Sequence, residues 1–76
     1  MKRFVIEMEF SGGMRTFLPN NGEDGELGIF YSFASAQEAA TLKSLRQTLL
    51  NFNDDACDYP VAVLVGAKIF ELVEVS

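Results

Sequence analysis

Histidine and tryptophan are absent from this chain and cysteine occurs once, so most side chains that run acid–base, nucleophilic or metal chemistry near neutral pH are missing. The lone Cys57 sits among Asp54, Asp55 and Asp58, whose negative charge opposes thiolate formation, and it is expected to be a small packing residue in a loop rather than a nucleophile or redox sensor. A single cysteine forms no internal disulfide, which favours a reducing compartment, with the cytoplasm as the expected location. The stretch from Met1 opens like a signal peptide, but Glu7 and Glu9 interrupt it, and no apolar run of about 20 residues spans a bilayer. Cations are scarce as well. Six Lys and Arg stand against eleven Asp and Glu, a net charge of −5, which disfavours direct binding to nucleic acid or to anionic membranes.

What is present is a globular composition, 49% apolar and 22% charged in 76 residues. It suits one domain over residues 1–76 that folds without metal, cofactor or disulfide. A chain this short removes only about 60% of its unfolded surface from water, so a deep cleft is hard to build.

Phe4, Ile6, Met8 and Phe10 alternate with Arg3, Glu7 and Glu9, predicting a half-buried strand from Lys2 to Phe10. Gly12-Gly13 supplies the positive φ values of a two-residue hairpin turn, and Met14 to Leu18 returns with Phe17 expected opposite Met8. Pro19 to Glu26 collects turn formers and reads as a surface loop; Leu27 to Phe33 reads as a third strand. Ser35-Ala36-Gln37-Glu38 matches a capping box and predicts a helix start. Ala39, Leu42, Leu45, Leu49 and Phe52 then form one apolar stripe, with Lys43, Gln47 and Asn51 opposite. Val61 to Val65 reads as a strand covered on both faces, Gly66-Ala67-Lys68 as a turn, and Ile69 to Val75 as a closing strand.

These elements define an α+β fold: an antiparallel sheet of about five strands in the order β-β-β-α-β-β, with one amphipathic helix packed on one face. A helix about 10 Å wide roofs roughly two strands spaced about 4.8 Å apart. The third, fourth and fifth strands carry apolar residues on both faces, Ala62, Leu64, Phe70 and Leu72 against Val61, Val63, Ile69 and Val73. Either the sheet curls into a partial barrel or another chain covers it, and a symmetric homodimer is the favoured solution.

Each candidate for chemistry has a plainer reading. Asp54, Asp55 and Asp58 lack the alternating acids and the glycine of an EF-hand loop. Gly12-Gly13 precedes no helix and has no adjacent Lys-Ser or Lys-Thr, so it is no phosphate cradle. Phe30, Tyr31 and Phe33 lack the basic groove of single-strand binders and suit core packing. Carboxylate-only glycoside chemistry lacks a substrate groove and the Trp that would line one. No enzyme activity is expected. The partner-binding residues expected are Glu23, Asp24 and Glu26 on one loop and Asp54, Asp55 and Asp58 on another, presented to a protein with a basic surface.

The arrangement of a Gly-Gly hairpin, a third strand, a helix opened by Ser35-Ala36-Gln37-Glu38 and a closing hairpin from Val61 to Val75 resembles small acidic phage-encoded α+β proteins, several anti-CRISPR proteins among them. The resemblance is architectural and transfers no residue roles. It implies stoichiometric inhibition of a bacterial CRISPR-Cas defence complex within the host cell cytoplasm, by a compact body that blocks a nucleic-acid channel. A duplex carries about one phosphate per 1.7 Å, a charge density this chain does not approach, so a local acidic patch suits it better than full mimicry. The alternative reading is a structural subunit that uses an apolar sheet face as a permanent interface.

Overall fold

Strand formation begins where the period-two alternation is cleanest. In the computed structural model, which describes residues 2–20, 26–53 and 60–73, β1 (Arg3–Phe10) is the central strand of an antiparallel sheet. β2 (Arg15–Phe17) flanks it on one side and β3 (Leu64–Leu72) on the other, giving the order β2-β1-β3. Between β2 and β3 the chain forms α1 (Phe33–Ala39) and α2 (Leu42–Asn53), and a 3-10 turn at Val61–Val63 leads into β3. Both helices lie on the sheet face that carries Phe4, Ile6, Met8 and Phe10. Ile6, Met8, Phe10, Leu18 and Leu64 close over Leu45 and Leu49 of α2 to make the core. The residues of the expected helical stripe do face this core, with Ala39, Leu42 and Phe52 bordering it, but Ala39 belongs to α1 and the other four to α2.

The fold is α+β, but the five-strand, one-helix expectation is wrong: the described residues form a three-stranded sheet and two helices. Leu27 to Phe33 does not form a third strand. Pro19 has no N–H to extend the ladder beyond β2, and the returning chain touches the sheet only through isolated bridges, Leu27 to Pro19 and Phe30 to Phe4. Gly28 permits that return, since a Cβ there would lie 3.2 Å from the carbonyl oxygens of Leu18 and Pro19.

The helix begins earlier than Ser35 and then breaks. Ser32 is the N-cap of α1, its hydroxyl accepting the Ser35 N–H at 3.1 Å, and Ser35 falls inside the first turn. Phe33 is thereby taken into the helix and its ring meets Phe4 edge to face at 5.7 Å. Thr41 repeats the device for α2, its hydroxyl accepting the Ser44 N–H at 3.2 Å. Neither glycine nor proline marks that break; a threonine hydroxyl holds it. Ser32→Ala and Thr41→Ala are each expected to cost about 1 kcal/mol, and Ser35→Ala appreciably less, in urea denaturation.

The closing hairpin is likewise absent, because Gly66-Ala67-Lys68 is strand rather than turn. Gly66 pairs with Glu9 and Leu64 with Phe10, so Val65 is an inserted bulge residue pushed out of the ladder. That insertion brings Leu64 onto the core side, where it is buried. Val61–Val63 forms the 3-10 turn and supplies no second strand.

Candidate protein-binding face

The site follows from one register detail. Phe10 donates to the Met14 carbonyl at 2.8 Å and accepts from the Gly13 N–H at 3.2 Å, so the connection is a three-residue loop, with Gly12 at φ 93° and Gly13 at φ 90°. A two-residue turn would have put Phe17 opposite Met8. The extra loop residue shifts pairing by one, setting Thr16 opposite Met8 and Phe17 opposite Glu7. Side chains alternate faces with period two, so Phe17 moves to the side away from the helices.

That outer face has two halves. Towards one end, Phe17 on β2 and Phe70 on β3 reach across β1 and meet edge to face at 6.3 Å. Val5, paired with Phe70 in register, lies in the strand between them and is only 2% exposed although neither α1 nor α2 covers this side. The two rings remain open to solvent, 41% and 44% exposed, with Leu72 next on the same face of β3. Towards the other end, Glu7, Glu9, Arg15 and Lys68 surround a depression of about 230 Å³. The Glu9 carboxylate accepts from Arg15 Nε at 3.1 Å and Nη2 at 3.0 Å, while Glu7 and Lys68 stand opposite each other in register. Two acids and two cations alternate there, so the charged half is patterned without net charge.

Of the expected partner-binding residues, only Glu26 lies among those described. It is exposed, and its carboxylate and carbonyl accept from the Asn20 side chain at 3.3 Å and the Asn20 N–H at 2.9 Å. Glu23, Asp24, Asp54, Asp55, Asp58 and Cys57 lie outside the described residues. A two-residue turn sets Phe17 beside Met8 and hides the outer face from the sequence; counting Ser11 as part of the loop is the signal that moves it. Among the described residues no group of three or more Cys, Asp or Glu is placed to hold a metal, and no helix is long and apolar enough to cross a membrane.

Comparison with protein-family models, with curated proteins and with solved structures returned no match to this chain.

Proposed function

We propose that this chain is a non-enzymatic protein-binding module that recognises its partner with the open outer face of its sheet. The observation that carries the reading is the solvent-exposed Phe17–Phe70 pair beside an alternating charge set. Aromatic anchors ringed by polar groups are where binding energy concentrates in interfaces. The net charge of −5 favours a partner with a basic surface, and a nucleic-acid-binding bacterial defence complex of the CRISPR-Cas type, inhibited stoichiometrically, is the class this reading favours. Glu26 and the acidic residues outside the described segments would then speed encounter rather than hold the complex.

Affinity capture from a bacterial lysate, comparing the natural chain with Phe17→Ser/Phe70→Ser, tests the face. The double variant is expected to keep its circular dichroism spectrum and lose at least tenfold in affinity for the retained protein. Equal capture by both chains removes the outer face from the account.

A structural subunit of a larger assembly is the second reading. It is favoured by apolar side chains exposed away from the outer patch, including Leu50 on α2, Val65 at the bulge and Val73. Light scattering separates the two, since an orphaned subunit associates heterogeneously and a binding module gives one defined species.

A further inference from the structure

The backbone of β3 is half used. Phe4 and Phe30 exchange hydrogen bonds of 2.7 and 2.8 Å, the Ile6 carbonyl accepts from Leu18 at 2.8 Å, and Phe10 bonds Met14. The even-numbered residues of β1 therefore direct their backbone groups away from β3. Its odd-numbered residues direct theirs towards Leu72, Phe70, Lys68 and Gly66, their partners in register. Alternation leaves the N–H and C=O of Ala67, Ile69 and Glu71 pointing to the outside of the sheet. No described residue bonds to them there.

The usual protections of such an edge are missing from this stretch. β3 contains no proline, and its charges are one Lys and one Glu. The Val65 bulge lies before Ala67, and the Arg46 guanidinium covers only the Leu64 carbonyl, at 3.3 Å. On the helix side, Ile69 and Glu71 border an open depression of about 310 Å³.

We propose that a second copy of this chain pairs with this edge, β3 against β3, antiparallel about a two-fold axis perpendicular to the sheet. Symmetry requires some residue to face itself. With Ile69 at the centre, Ala67 faces Glu71 of the second copy, and every outward N–H and C=O of Ala67, Ile69 and Glu71 finds a partner. Centring on Lys68 opposes two like charges. Centring on Phe70 pairs Ala67 with Val73, beyond the end of the strand. The Ile69 register instead sets Lys68 beside the Phe70 ring of the second copy, a cation-to-aromatic arrangement. In a chain of net charge −5, this uncharged-on-balance strand is where two copies approach with least repulsion. The axis keeps the helices of both copies on one side, so the two outer faces join into one surface carrying both Phe17–Phe70 pairs. Edge and face are separate surfaces, and each can fail without the other.

Sedimentation velocity and amide hydrogen exchange by NMR on the ¹⁵N-labelled chain, from low micromolar to near millimolar concentration, test the pairing. Dimer formation is expected to slow exchange at Ala67, Ile69 and Glu71 by at least tenfold, with much smaller changes at Lys68 and Phe70, already bonded to β1. If the dimer persists at the lowest concentration, slow exchange at those three amides carries the same meaning. A monomer at every concentration overturns the proposal, and so does a dimer whose three edge amides exchange freely. Glu71→Pro deletes an edge donor without touching the β1 ladder and is expected to weaken dimerisation about tenfold or more; undiminished dimerisation of the folded variant also overturns it.

Discussion

Phe10→Ala is expected to lower the free energy of unfolding by about 3–5 kcal/mol, a large share of what holds the chain folded. At about 0.05–0.15 kcal/mol per residue, a domain of this length has only about 4–11 kcal/mol in total. Phe10 is 1% exposed and is set opposite Leu64 by the Val65 bulge, so its ring and the Leu64 side chain enter the same core that receives Leu45 and Leu49. Truncation leaves a cavity bounded by two strands and a helix, which cannot all close over it. Urea denaturation is the measurement, with a lower midpoint and an unchanged slope expected. Leu50→Ala is the control. Leu50 is 53% exposed on the same helix as Leu45 and Leu49, and its loss should stay within about 0.5 kcal/mol. Equal effects from the two substitutions would contradict the placement of the core.

Val5→Asp should be nearly as damaging, for a reason that belongs to the other side of the sheet. Val5 faces away from both helices, yet the Phe17 and Phe70 rings meeting at 6.3 Å exclude water from it. A carboxylate held under the two rings loses its hydration, which is felt at about 3–5 kcal/mol. Glu7→Gln, two residues along on the same face but only half-buried, should cost little. Were Val5→Asp as stable as the natural chain, the two rings would not be roofing the strand, and the outer face would lose its apolar half. The same ring pair thus does two jobs: it seals Val5 from water and presents aromatic edges to a partner.

The parts of this fold that were legible in the sequence are those fixed by local pattern. The alternation of Phe4 to Phe10 gave β1, and the spacing from Ala39 to Phe52 gave the buried stripe of the helical region. What escaped was decided by hydroxyls and by single residues of register. Ser32 and Thr41 capture amides three residues downstream, converting one long helix into two, although Ser35 with Glu38 offered an equally good local cap. Gly66 resembles a turn residue by type, but the ladder with Glu9 runs through it. Ser11 and Val65 each add one residue, in a loop and in a strand, and each addition sends side chains to a face that alternation alone assigns otherwise. The six acids expected to bind a partner stand out in the sequence only by charge and loop composition. Five of them fall outside the described residues, whereas the outer face is assembled from three strands and is visible only once they are paired.

The order of synthesis bears on the central position of β1. All eight residues of β1 pair with β3, and Val5 meets Phe70 only after the intervening chain has been made. At about 5–20 residues per second that interval is roughly 3–13 s. During it, β1 has only the short β2 to pair with, and its other edge waits for its longest partner. Closure of the sheet therefore waits for β3, and a nascent molecule that stops short of it lacks both the partner of β1 and the Leu64 side chain of the core.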